Sequence, residues 1–352
     1  MARTMKAAVV EKPNVITVKT VPVPQIGDDE VLIRVKLTGI CGTDWAIYTG
    51  KYSSDRLPLV AGHEFCGEIA EVGRNAKGLK VGDRVTADIN MSCGHCFFCK
   101  QGQKLLCPEF LQLGIHIDGT YAEYVKAPWA QVHKIPAKLS FMEAAFIEPL
   151  SCCVHSAKAM NAALGSSVAI IGCGLGILHG ALARLRACAP VIVIGDNKKR
   201  LEIARKMGAD HVLYTKEVAD PVAEVKRLTG GRGADYVLEA VGTVPTYEQA
   251  FRMVRHGGQV SAFGLTGDRE TMALAPFDLV LHEKRVTSSC AGVGNDWSDA
   301  ITLIEHGRID PRPMFSMVVP LEELEKALKE LRTNPDLIKV FVSPEATKRE
   351  IL

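Results

Sequence analysis

The sequence lacks an excess of charge of either sign, a long uninterrupted apolar run, internal repeats and low-complexity tracts. Its 42 basic and 40 acidic side chains leave a formal net charge of +2, mixed along 352 residues. That balance argues against a general binder of nucleic acid or of membrane surfaces. The basic triplet Lys198-Lys199-Arg200 is isolated and reads as a solvated helix start. The longest apolar stretch, Val168 to Leu185, is broken by Gly172, Gly174, Gly176, His179 and Arg184, so it is no membrane span. Met1 to Asn14 carries charges, with no continuous apolar segment and no small-residue cleavage site. A secretory leader is therefore not expected, and a cytoplasmic location is.

What is present is ordinary for a globular chain. Hydrophobic residues make up 47% and charged residues 23%, enough to bury real cores. At about 150 residues per domain the length suits two domains. Eleven cysteines without a leader point to a reducing compartment, where clustered thiols bind metal rather than pair.

The first half reads as short Val- and Ile-rich strands at Lys6 to Val10, Glu30 to Thr38, Phe65 to Val72 and Arg84 to Ala87. Turn signals such as Gly27-Asp28-Asp29 and Gly82-Asp83 separate them. No strong helical period runs through this half, which predicts an antiparallel, barrel-like domain to about residue 149. The texture changes after Pro149. Strands at Ser167 to Ile171, Val191 to Gly195, His211 to Tyr214, Ala234 to Glu239 and Gln259 to Phe263 alternate with helices. Those helices are Ile177 to Arg186, Arg200 to Met207, Pro221 to Leu228 and one around Val244 to Met253. Such alternation builds a doubly wound parallel sheet, so the fold class is α/β plus β. A helix at Leu321 to Leu331 and a strand at Lys339 to Val342 close the chain.

Cys93, Cys96, Cys99 and Cys107 form C-x2-C-x2-C-x7-C within a lobe at residues 90–110. Four thiolates this close fill one tetrahedral sphere around Zn2+ and leave no position for substrate, which makes the site structural. Unliganded thiols, an iron-sulfur cluster and a nucleic-acid zinc finger are the alternatives. The lobe lacks the basic stripe that the last would need.

A second set of donors lies at strand ends. Cys41 sits in Gly39-Ile40-Cys41-Gly42-Thr43-Asp44, and His63 and Glu64 in Gly62-His63-Glu64-Phe65. Glu148 precedes Pro149. A thiolate, an imidazole and a carboxylate suit Zn2+ and leave one position for water or substrate.

The run Val168 to Ile171 enters Gly172-Cys173-Gly174-Leu175-Gly176-Ile177 and then a helix. This strand-turn-helix context binds a pyrophosphate at a helix N-terminus. The spacing is G-x-G-x-G, one residue short of the usual fingerprint. Asp196, after the next strand, stands where a carboxylate bonds the ribose hydroxyls of NAD and repels the 2'-phosphate of NADP. Arg200 would attract that phosphate, but Asp196 makes NAD the expected cofactor and NADP the less expected one.

Together these residues resemble the zinc-dependent medium-chain alcohol dehydrogenase family over essentially the whole chain. The most specific pieces are Gly39 to Asp44, Gly62-His63-Glu64, Val81-Gly82-Asp83-Arg84-Val85, the four-cysteine lobe and Glu148-Pro149-Leu150. Glu148-Pro149-Leu150-Ser151 and the short segment Tyr48 to Pro58 are most similar to the sorbitol and polyol dehydrogenase branch, whose neighbour is threonine 3-dehydrogenase. The resemblance implies a GroES-like catalytic domain at residues 1–149 and 291–352, with a Rossmann NAD-binding domain at 150–290 inserted. It implies two zinc ions per chain, one catalytic and one structural, and a nicotinamide beside the catalytic zinc in the cleft between the domains. It also implies oxidation of a secondary alcohol, most simply a polyol, sugar alcohol or cyclitol, to a ketone.

In that mechanism Cys41, His63 and either Glu64 or Glu148 hold the catalytic metal, which acidifies the substrate hydroxyl. Thr43 takes the hydroxyl proton and hands it toward the cofactor ribose. Trp45 and Tyr48 either line the substrate pocket or belong to the core. Lys339 reaches for the cofactor phosphates. Relatives often place a relay histidine where this chain has Ala46. Homotetramers or homodimers are usual in the family, with Thr287 to Ala291 suited to pairing across a two-fold axis. Threonine or butanediol dehydrogenases are the rival enzymes. A non-enzymatic zinc- and dinucleotide-binding protein of the same fold is the rival of another class.

Overall fold

The computed structural model describes residues 3–352. Met1 and Ala2, part of the N-terminal stretch in which no leader is expected, lie outside the described residues. The chain divides into two compact units. One is Met1–Ser151 with Val293–His306 and Pro311–Leu352; the other is Cys152–Gly292 with Gly307–Asp310.

In the first unit the strand Glu30–Gly39 is the hub. It pairs antiparallel with Glu64–Val72, with Tyr124–Pro128 and with Lys339–Ser343 from the far end of the chain. Glu64–Val72 continues to Arg84–Ala87, which pairs with Val132–Lys134. Within the first half the pairing is antiparallel, as the sequence suggests. The C-terminal return adds a parallel pair, Phe315–Pro320 beside Lys339–Ser343. Leu32, Ile33, Val35, Phe65, Ile69, Val85 and Phe341 are buried along these strands and form the interior. A smaller sheet joins Thr4–Lys12 to Val15–Pro22 and Leu59–Val60.

The first half also holds helices that its apolar pattern did not announce, at Gly42–Tyr48 and Phe141–Ala145. Each is too short to display a helical period, and each is set by its cap instead. At the first, the Cys41 N–H donates to Asp44 Oδ2 at 2.8 Å. At the second, Ser140 and Glu143 form a reciprocal capping box.

The second unit carries a six-stranded parallel sheet. Its strands are Val168–Ile171, Val191–Gly195, His211–Tyr214, Ala234–Glu239, Val254–Ala262 and Arg285–Ser288, lying in the order 3-2-1-4-5-6. That is the order of a dinucleotide-binding sheet. The first two strands are buried along their whole length, as a parallel sheet covered on both faces requires. Boundaries differ modestly from the sequence reading. The fifth strand starts at Val254 rather than Gln259, and the sixth ends at Ser288 rather than near Ala291. One helix starts at Lys198 rather than Arg200, because Asn197 caps it by accepting the Arg200 N–H at 3.0 Å. Among the described residues no helix is long and apolar enough to cross a membrane.

Candidate active site and metal centres

The register of two strands builds the first site. Gly39 ends the hub strand directly opposite Glu64, the first residue of its neighbour. A Cβ on Gly39 would come within 2.3 Å of Glu64 Oε2, so any side chain there would displace the Glu64 carboxylate. Two residues past Gly39 the chain turns at Cys41, and one residue before Glu64 stands His63. The ligand atoms of Cys41, His63 and Glu64 consequently lie within 4.8 Å of one another. His63 and Glu64 are buried, and Cys41 is partly so.

Asp44 organises this cluster. Its buried carboxylate accepts from the Cys41 N–H, from the Gly62 N–H at 3.3 Å and from the Tyr121 hydroxyl at 2.8 Å. Its other face meets His63 Nδ1 at 3.5 Å, a charge contact without hydrogen-bond geometry. Nδ1 is thus buried without a hydrogen-bond partner. Burial opposes charge on the His63 ring, but Asp44 and then Cys41 outweigh it and raise its pKa well above the ordinary value. Burial, and next the carboxylate of Asp44, likewise hold Tyr121 protonated far beyond the usual phenol range.

Glu64 has a second partner. Lys339 Nζ donates to Glu64 Oε2 at 2.5 Å and to the Ile40 carbonyl at 3.2 Å. Burial works against the ammonium charge, and Glu64, Cys41 and Glu148 together overcome it. Lys339 therefore sits beside the metal-ligand cluster. Glu148 is buried in the first turn of the helix Ile147–Met160, close enough to act on Lys339. Thr43 is half-buried in the first turn of Gly42–Tyr48. Tyr48 belongs to the core, with its hydroxyl on Glu325 at 2.9 Å, whereas Trp45 stays partly exposed. Ala46 brings no titratable group.

These residues fit a zinc ion. The donors are sulfur, nitrogen and oxygen, three in number, with an orphaned imidazole nitrogen facing a carboxylate; that is the carboxylate-histidine pairing that orients a metal ligand. The second cluster fits as well. The ligand atoms of Cys93, Cys96, Cys99 and Cys107 all lie within 4.8 Å. Cys93 Sγ and Cys99 Sγ are 4.0 Å apart, near the roughly 3.8 Å edge of a tetrahedron with Zn–S bonds of about 2.3 Å. Backbone N–H groups already point at sulfur: Cys93 toward Cys107 and Cys96 toward Cys93, each at 3.4 Å. The lobe is pinned by Lys104, which pairs with the buried Asp88, and Asp88 also accepts the Gly294 N–H at 3.2 Å.

In the second unit the glycine turn has the form a pyrophosphate needs. Gly172 has φ +117°, a conformation costly for any side chain. A Cβ on Gly174 would meet nothing within 4 Å, so that side of the turn is open. The helix Gly176–Leu185 begins at Leu175 without a side-chain cap, and Ile177 is its second residue. Gly176 performs the packing role of the third glycine despite the shortened spacing. A Cβ there would press within 3.0 Å of Ile170 Cγ2. Asp196 is exposed just after the second strand, 3.8 Å from Cys173 Sγ, and Arg200 lies in the following helix.

Asp44, Tyr121 and the Lys339–Glu64 contact were not among the functional residues read from the sequence. A Cys-x-x-Asp cap signals Asp44, but nothing local signals Tyr121.

An open Cys-His-Glu metal site in one unit, with a dinucleotide sheet in the other, defines a metal-dependent dehydrogenase. Comparison with known proteins agrees. Residues 27–137 match the family model described as alcohol dehydrogenase GroES-like domain. Residues 174–306 match the one described as zinc-binding dehydrogenase. The chain is 35% identical to a sorbitol dehydrogenase of Bacillus subtilis, covering 97% of each chain. It is 34% identical to an L-threonine 3-dehydrogenase of Bacillus licheniformis, covering 92% of this chain and 95% of the other. Among solved structures, a putative zinc-binding dehydrogenase from Sinorhizobium meliloti bound to NADP superposes with a TM-score of 0.91. It is 34% identical, with 97% of this chain and 100% of that one covered. The chain belongs to the zinc-dependent medium-chain alcohol dehydrogenase family. It is an oxidoreductase that uses zinc and NAD(P).

Proposed function

We propose that this protein oxidises a secondary hydroxyl of a polyol, sugar alcohol or cyclitol to a ketone, with NAD as the hydride acceptor. The observation that carries this reading is the cluster of Cys41, His63 and Glu64 with Asp44 behind the imidazole, in a chain so similar to a sorbitol dehydrogenase. When bound, zinc supplies the Lewis acidity that lowers the hydroxyl pKa, and the nicotinamide supplies the hydride acceptor. Cys41, His63 and Glu64 hold the metal. Glu148 stands by as an outer carboxylate. Thr43 takes the hydroxyl proton, and because Ala46 carries no base, water beyond Thr43 receives it. The exposed carboxylate of Asp196 favours NAD over NADP.

The active form is an assembly of identical subunits. The edge strand Arg285–Ser288 is largely exposed, and Val286 within it and Phe277, Val280 and Leu281 of the preceding helix Pro276–Leu281 are exposed large apolar side chains. An unpaired edge with such a patch suits a second copy across a two-fold axis. Eleven free cysteines support a reducing, cytoplasmic setting.

The test is NADH formation with a panel of polyols, polyol phosphates, cyclitols, threonine and simple secondary alcohols, each with added zinc and with a chelator. Chelator-sensitive turnover of a polyol class is expected. Turnover confined to threonine or simple alcohols, or unaffected by chelator, overturns the reading.

A further inference from the structure

The helix Leu324–Thr333 carries five charged side chains, and four of them are in ion pairs. Glu325 pairs with Lys329 at 2.6 Å, and Glu330 pairs with Arg349 at 2.7 Å and with Lys326 at 4.0 Å. The fifth, Arg332, has no anionic partner among the described residues. It reaches instead toward the catalytic cluster. Its Cζ lies 5.4 Å from the centroid of the Trp45 ring, one helical turn beyond Cys41. Its Nη2 would be 3.8 Å from a Cβ on Gly42, the residue next to Cys41.

The last turn of a helix favours a cation through the helix dipole. That accounts for a basic residue at this position but not for its turning onto Trp45. A cation–π contact uses the charge of the guanidinium and leaves its N–H donors available. Burial of its inner side lowers the Arg332 pKa, and the nearby Cys41 opposes that shift. The outer side remains exposed and reachable by a ligand.

We propose that Arg332 is the anion-recognition residue of the substrate site, and that the true substrate is a polyol bearing an oxyanion, either a phosphate ester or a carboxylate. The proposal rests on the dehydrogenase reading above and narrows its substrate class. The planar guanidinium fork binds either oxyanion through two parallel hydrogen bonds. Trp45 fixes the fork, and the oxyanion in turn sets which hydroxyl of the chain meets the metal ligands.

The experiment compares the zinc-loaded wild type with Arg332→Gln and Arg332→Lys. Calorimetry of the NADH-loaded enzyme measures binding of sorbitol, sorbitol 6-phosphate and gluconate. NADH formation is followed separately. The wild type is expected to bind one anionic compound more tightly than neutral sorbitol. Arg332→Gln should weaken that compound about 10- to 100-fold while leaving sorbitol affinity and the melting temperature near their wild-type values, and Arg332→Lys should restore part of the loss. The choice between phosphate and carboxylate follows from which arm responds. Equal or better binding of sorbitol, or no change in Arg332→Gln, overturns the proposal. Weaker NADH binding in Arg332→Gln also overturns it, by assigning the charge to the cofactor. Failure of the dehydrogenase reading would appear separately, as absent NADH formation whatever the binding data.

Discussion

Lys339 Nζ and Glu64 Oε2 lie 2.5 Å apart, joining the last long strand to the start of the strand Glu64–Val72, and both side chains are buried. The ammonium holds the carboxylate beside Cys41 and His63 without adding a metal donor. Removing one member of such a pair strands a buried charge, which costs about 3–5 kcal/mol, whereas removing both is far milder. Lys339→Met is therefore expected to lower the unfolding free energy by that amount, and Lys339→Met/Glu64→Gln to recover most of it. A denaturant-melt double-mutant cycle checks this, and additive losses would show that the pair is uncoupled.

Asp44 is buried behind the cluster, where it faces His63 and fixes the backbone on both sides. Outer-shell carboxylates of this kind are worth about 10- to 100-fold in metal affinity. Asp44→Asn is expected to weaken zinc at the Cys41 site within that range while the four-cysteine lobe keeps its ion. Zinc retention during chelator competition, read by elemental analysis, distinguishes the two sites. Loss of both ions together would point to general unfolding.

Asp196→Ala should weaken NAD by about 10- to 100-fold, the value of hydrogen bonds to a charged group, and leave NADP nearly unchanged or improved. NADH and NADPH fluorescence titrations report this directly. An unchanged ratio would remove Asp196 from the ribose site.

His179 is buried in the helix after the glycine turn, with both ring nitrogens unpartnered and its ring edge-on to Phe263 at 4.5 Å. Burial pushes its pKa down to about 3. The unfolded chain, with an imidazole near 6.5, takes up the proton first as pH falls. Stability is thus complete above about 6.5 and is lost progressively below it, by about 2 kcal/mol at pH 5. His179→Leu should remove that slope. Urea melts of both proteins between pH 7 and 5 test it, and parallel slopes would contradict the assignment.

The sequence is most legible where structure is local. Val168–Ile171, Val191–Gly195 and the alternation around them follow from apolar runs punctuated by glycine, and the four thiols announce themselves by spacing. Gly39, Cys41 and the His63-Glu64 pair are recognisable because strand ends place them. Tyr121 and Lys339 were not assigned to this cluster. Their partners Asp44 and Glu64 are distant in the chain, and only the pairing of the hub strand with three others brings them near. The one-residue shortening of the glycine turn leaves packing intact because Gly176 still lies against Ile170, a fact visible only once helix and strand are in place.

The pairing of Lys339–Ser343 with Thr38 and Gly39 also sets an order of maturation. The four lobe thiols lie within residues 93–107 and can gather around an ion while the chain is still being synthesised. The Glu64 carboxylate of the Cys41 cluster, in contrast, lacks its counter-charge until Lys339, 275 residues further along, has been made. Contacts of such sequence separation form late and slowly. A growing chain would thus complete the surroundings of its structural ion before those of its reactive one.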